Sequence, residues 1–195
     1  MTSAPSATTW GSPTATKHAL LVHGGLSSSH TWHRVAPSLA AQGTYRSQYA
    51  LVMAQVGTYM TLSGYCVTAP NLIGHASRIS TEFRLSSTAS DLLPYLEARN
   101  YSLIIGHSIG ASTVLSLFSH LPQPYPTAIV LIDPSMKATQ EKLGSLDAKI
   151  ADAYFNVKPA EAYSAENPLW TREDAIYREL GIRLCSIGGM SQVLR

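Results

Sequence analysis

The sequence predicts an α/β protein, a mostly parallel sheet with helices on both faces. Three observations carry that expectation. His18–Val22, Leu103–Ile105 and Ala128–Ile132 are short uninterrupted apolar runs, the composition of strands buried on both faces. Stretches with helical spacing of apolar residues lie between such runs. Hydrophobic residues make up 45% of the chain and charged residues only 13%, a buried-sheet balance rather than a disordered one. With 195 residues, one core and one main unit are expected.

Taken in order, the amino end, "MTSAPSATTWGSPTATK", has neither the basic start nor the apolar block of a secretory leader. No apolar run is long enough to span a bilayer, so a soluble, cytoplasmic protein is the expectation. "HALLV" at His18–Val22 is the first strand and ends at His23-Gly24-Gly25. A helix fits Ser29–Gln42, with Trp32, Val35 and Leu39 on one face, Ser29 or its successor as cap and Gly43 as terminator. The segment 44–63 carries one charge and no clean period, and reads as an insertion, either an extra apolar helix or non-native coding sequence.

The next strand is Tyr65–Ala69, stopped by Pro70. A second helix fits Ser90–Arg99, with Ser90 as cap, Asp91 suited to the positive amino end and Pro94 in the opening turn. Leu103–Ile105 is a strand, and Val114, Leu117, Phe118 and Leu121 then form a helical apolar face. The strand Ala128–Ile132 ends at Asp133-Pro134. Beyond Ser135 the alternation stops: Leu143, Leu146, Ile150 and Ala153 mark one helix, and Thr171–Asp174 opens another that Gly181 closes.

A net charge of +2 without any Lys/Arg run gives no reason to expect nucleic acid or an anionic membrane as partner. The two cysteines, Cys66 and Cys185, have no metal or redox spacing and read as reduced, buried thiols.

The chemistry concentrates at Gly106-His107-Ser108-Ile109-Gly110, a G-x-S-x-G pattern with a strand before it and a helix after it. The glycines suit a bend too tight for side chains beside the serine. Ser108 is the candidate nucleophile, and the N–H of Ile109 at the helix start is a candidate oxyanion donor. The other reading is an ordinary strand-to-helix turn with a capping serine. The His23-Gly24-Gly25 loop favours the first, because it offers a second donor, the N–H of Gly25 or else that of Leu26. His23 reads as a loop-shaping residue rather than a base, and His107 as a packing residue.

These blocks, "HGG…SSSHTW", "YCVTAPNLIGHAS", "GHSIGAS" and "IVLIDPS", resemble the α/β-hydrolase fold superfamily and span His18–Ser135 in the expected order. The resemblance implies a three-layer core over residues 1–135, a serine nucleophile at Ser108, and a helical cap-like segment over 136–195. The serine chemistry acts on an ester, thioester or amide with no metal and no cofactor, and the Leu, Ile, Tyr and Ala content of the cap-like segment suits a small, partly apolar substrate. Where the superfamily has Asp-x-x-Gly-His-Gly, this chain has Asn71-Leu-Ile-Gly74-His75-Ala76. The triad of that superfamily runs Ser, Asp or Glu, then His, with the histidine beyond the cap. The last histidine here is His120, about 18 Å along a helix that starts at the serine, so the base is unassigned. His23 and His75 remain open as substitutes. Asp133 is a candidate acid, or simply the polar end of a strand. Two functions follow: a serine hydrolase, or a truncated, inactive relative that binds a ligand or does nothing. Oligomeric state is not legible.

Overall fold

The computed structural model describes residues 6–41, 64–80, 84–121, 127–134 and 152–185. Five strands form one sheet: β1 (Ala7–Trp10), β2 (Lys17–Val22), β3 (Tyr65–Pro70), β4 (Leu103–His107) and β5 (Ala128–Ile132). Their spatial order is β1-β3-β2-β4-β5. β2, β3, β4 and β5 run parallel, and β1 lies antiparallel on β3. The sheet is mostly parallel, as expected, and among the described residues it ends at β5.

The continuous apolar runs have a direct cause, since alternate residues of β2 enter two different cores. Leu20 and Val22 face one side, where Leu72, Leu92, Ile104, Val114 and Leu117 pack with them. Ala19 and Leu21 face the other, with Trp32, Ala36, Val67, Ala69 and Ile105. Each fully buried leucine in these clusters contributes roughly 1.5–3 kcal/mol relative to exposure. β5 is covered on one side only: Ile129 and Leu131 pack on the first core, whereas Val130 and Ile132 are each 43% exposed.

Three helices connect the strands: α1 (Val35–Ala41), α2 (Leu85–Ala98) and α3 (Ile109–Ser116). The expected helix over Ser29–Gln42 is two pieces, a 3₁₀ turn at Ser29–Trp32 and then α1. Pro37 explains the break, because its ring would clash with the carbonyl of residue 33 in a helix running back through that turn. The phase shifts by one, so Ala36 is buried and Val35 exposed. Ser28, not Ser29, is the cap, its Oγ accepting from the N–H of His30.

α2 begins at Leu85 rather than Ser90, and Pro94 therefore lies inside it. Asp91 is not at a helix start; its carboxylate pairs with Arg78 through two bonds of 2.7 and 2.8 Å. α3 ends at Ser116, followed by a 3₁₀ turn at Phe118–His120, which leaves Phe118 47% exposed while Val114 and Leu117 are buried. β1 was not expected from the sequence.

Two further helices follow, α4 (Ala160–Glu166) and α5 (Arg172–Arg183). Thr171 caps α5 in a reciprocal box with Asp174. Gly181, expected to close this helix, lies within it. The insertion at 44–63 and Leu143, Leu146 and Ile150 of the other expected helix lie outside the described residues; Ala153 packs beside Ile182 and Cys185. Both cysteines are free and buried. No helix among the described residues is long and apolar enough to cross a membrane.

Candidate active site

The chain passes from β2 to β3 on one side of the sheet and returns to β4 and β5 on the other. The carboxyl ends of β2 and β4 therefore flank the point where strand order reverses, the usual place for a ligand crevice in an open α/β sheet. Ser108 and the loop after Val22 both lie there.

Ser108 has φ 51° and ψ −120°, a conformation that a side-chain-bearing residue adopts only at a cost of roughly 1–3 kcal/mol. Its neighbours show what enforces it. A Cβ at Gly106 would lie 2.6 Å from the Ala111 Cα, and one at Gly110 would collide with the carbonyls of Val22 and His23. The bend is thus pressed against the end of β2, and only glycine fits on either side. The Ser108 side chain makes no capping bond to α3. Ile109 is the first residue of α3, so its N–H has no acceptor within the helix.

The loop after β2 faces this bend. A Cβ at Gly24 would lie 3.3 Å from the Ser108 Cβ and 2.8 Å from Nδ1 of His107. Gly25 is exposed, with open space beside it, and its N–H makes no hydrogen bond to a described residue. The N–H of Leu26 is committed: it donates to Nε2 of His75 at 3.2 Å. Of these two loop amides, Gly25 is the one without an acceptor among the described residues.

His23 is fully buried. Its Nδ1 donates to the carbonyl of Gly24 at 2.7 Å and its Nε2 accepts from the N–H of Leu72 at 3.1 Å. Burial first, then the neighbouring His75, pushes its pKa down to about 3. His75 is held in the same tautomer, Nδ1 to the carbonyl of Ile73 at 3.0 Å and Nε2 to Leu26, and burial lowers its pKa also. The two rings meet edge to face, centroids 5.1 Å apart. Both are neutral, with each nitrogen occupied, so neither has a lone pair to offer as a base.

All seven histidines lie among the described residues. His18 is at the amino end of β2, far from the strand ends that carry Ser108. His30 stacks on Tyr177, His33 meets the same ring edge to face, and His33 also faces Asp174 at 3.1 Å. His107, expected to pack, is exposed, and His120 lies beyond the far end of α3. None hydrogen-bonds the Ser108 hydroxyl. Asp133 is exposed, with φ 48°, and makes no hydrogen bond to a described residue.

Two residues beside this site had no role assigned from the sequence. Asn71, where the superfamily pattern has aspartate, accepts from the N–H of Ser29 at 2.8 Å and donates weakly to Ser6, a pair of roles that needs an amide. Arg178 on α5 donates to the carbonyl of Leu26 at 3.1 Å.

The sequence profile of the alpha/beta hydrolase family matches residues 19–189. The chain belongs to the alpha/beta hydrolase family. The fold of this hydrolase-family chain is shared by solved structures of low identity. The thioesterase domain from the curacin biosynthetic pathway is 20% identical with a TM-score of 0.57, the match covering 89% of this chain and 60% of that one. A carboxylesterase of the thaumarchaeon Nitrososphaera gargenis is 19% identical, TM-score 0.56, with 97% and 66% covered. MenH from S. aureus is 16% identical, TM-score 0.58, with 97% and 69% covered. The chain thus spans 60–69% of the length of these structures. Among curated proteins no match is found.

Proposed function

We propose that this chain carries the nucleophile half of a serine hydrolase site, acting on a small, partly apolar ester, thioester or amide. The observation that carries the reading is the strained conformation of Ser108, locked between Gly106 and Gly110 at the switch point of the sheet. A strained residue whose hydroxyl serves no structural bond points to use by a ligand. Ser108 Oγ attacks the substrate carbonyl carbon. The oxygen that becomes negative is met by the N–H groups of Ile109 and Gly25, both without an acceptor among the described residues. The Oγ proton passes to solvent, the adduct collapses by breaking the bond from the carbonyl carbon to the leaving oxygen, sulfur or nitrogen, and the alcohol, thiol or amine departs after taking up a proton; water then adds to the acyl-Ser108 ester and releases the carboxylic acid, restoring the hydroxyl.

A second reading is favoured by the histidines. Seven are placed and none is bonded to Ser108, while His23 and His75, which hold the loop, are saturated. Without a base, turnover falls on the order of a millionfold, leaving an acceptor for strong electrophiles that does not cycle. The two readings share Ser108 and differ in turnover.

A fluorophosphonate probe tests the shared part. Stoichiometric labelling of the folded chain that vanishes in Ser108→Ala is the expected result; no labelling, or labelling that survives the substitution, overturns it. Steady hydrolysis of a p-nitrophenyl ester above the Ser108→Ala background selects the first reading, and a single burst without turnover selects the second.

A further inference from the structure

Three successive peptide planes in the loop facing Ser108 are each held by one side chain. The Gly24–Gly25 plane is held through the Gly24 carbonyl by His23. The Gly25–Leu26 plane is held through the Leu26 N–H by His75, and the Leu26–Ser27 plane through the Leu26 carbonyl by Arg178. Each plane is rigid and trans, so fixing one end aims the other.

Leu26 is where this control acts. It is a leucine at φ 54°, a left-handed conformation costing a residue with a Cβ about 1–2 kcal/mol. Both of its backbone polar groups are bonded to side chains from elsewhere in the fold, His75 after β3 and Arg178 on α5, 152 residues away. α5 comes close enough to do this because of Gly181, where a Cβ would sit 3.1 Å from the Ser27 Cα and 3.3 Å from the Leu26 carbonyl oxygen. Leu26 also packs with Ile182 and Cys185, and the Leu184 carbonyl accepts from the N–H of Ser77. The helix is therefore anchored on both sides of the His75 turn.

We infer that Arg178 and His75 are positioning residues: by clamping the Leu26 backbone from its two sides they hold the carboxyl side of Gly25 in place, while His23 aims the Gly25 N–H through the Gly24 carbonyl, so that the three together keep that N–H presented to Ser108. The inference rests on the reading of Ser108 and Gly25 given above. It makes α5 part of the acyl-transfer site although it contributes no group that touches substrate. It also gives a reason for a leucine in a conformation that glycine would adopt freely.

The test uses Arg178→Met, which keeps the aliphatic stem and removes the donor, Arg178→Lys, which restores a donor, and His75→Phe, with two readouts on the full chain. Backbone amide exchange over 23–28 reads the clamp, and the second-order rate of fluorophosphonate labelling reads its effect on Ser108. Arg178→Met and His75→Phe are expected to speed exchange in that segment at least about 10-fold and to slow labelling on the order of 10- to 100-fold. Arg178→Lys should recover most of both, and urea midpoints separate these effects from global unfolding. Unchanged exchange in Arg178→Met, or faster exchange with unchanged labelling, overturns the inference alone. A wild-type chain that takes no label overturns the Ser108 reading, and this one with it.

Discussion

The backbone N–H of Ser108 donates to the carbonyl of Ile132 at 2.9 Å. This bond carries the β4–β5 ladder one residue beyond β4, so the sheet, rather than the serine side chain, fixes the bend. Among the described residues the hydroxyl has no hydrogen-bond partner. Strain at Ser108 is thus stabilised by β5 on one side and by the contact of Gly110 with the end of β2 on the other.

Gly110→Ala should be among the most damaging single-methyl changes in the chain. Its Cβ would strike two backbone carbonyls, those of Val22 and His23, which cannot rotate away as a side chain would. The expected loss is ~2–4 kcal/mol, read as a lowered urea midpoint with unchanged slope. Gly25→Ala, with open space beside it, should cost less than about 1 kcal/mol.

Ala76→Gly should stabilise the chain. Ala76 has φ 50° and Ser77 after it has φ 62°, so the turn holds two side-chain-bearing residues in the left-handed region. Relief at one of them, less the added freedom of glycine in the unfolded chain, leaves a gain of ~0.5–1 kcal/mol in thermal or urea unfolding.

Acidification should destabilise the fold well before the carboxylates titrate. The folded-state pKa of His23 is about 3, below its unfolded value near 6.5, so the unfolded chain binds the extra proton first. The contribution of His23 to stability is complete above pH ~6.5 and is lost steadily as pH falls toward 3. Between pH 6.5 and 5 the loss from His23 alone is about 2 kcal/mol, and His75 adds in the same direction. Urea midpoints at pH 7.5, 6.5 and 5 check the slope; a flat response would show that His23 is not held neutral.

Val130→Lys should reduce self-association at little cost to the fold. Among the described residues β5 pairs only with β4, its five residues are all apolar, and Val130 is 43% exposed. An uncharged outer strand of this kind is a ready template for another chain, and a lysine on it is a natural deterrent. Light scattering against concentration should fall in the variant, while the urea midpoint moves by less than about 1 kcal/mol.

What the sequence discloses here follows from how local the cause is. β2, β3, β4 and β5 were each legible within two residues at either end: burial on both faces demands the apolar runs of the inner strands, and β5 carries such a run although one of its faces is exposed. The G-x-S-x-G bend was legible because its cause lies within five residues. β1 was not, since its two threonines sit at an antiparallel margin that demands no such run. The break before α1 was written in Pro37, whose effect reaches four residues back, beyond the apolar spacing that suggested one helix. The bonds of Arg178 and His75 to Leu26 had no sequence signal at all, because they join segments 152 and 49 residues apart.

The saturated imidazoles beneath the loop also bear on how this protein answers reagents. Carbethoxylation needs an unprotonated ring nitrogen open to solvent, and His23 and His75 have none. A histidine-directed reagent would modify exposed rings such as His107 while leaving this pair untouched until the chain unfolds. Loss of function under such treatment would therefore report on the rim of the crevice, and late, cooperative modification would count the hydrogen-bonded pair as a clock for global opening.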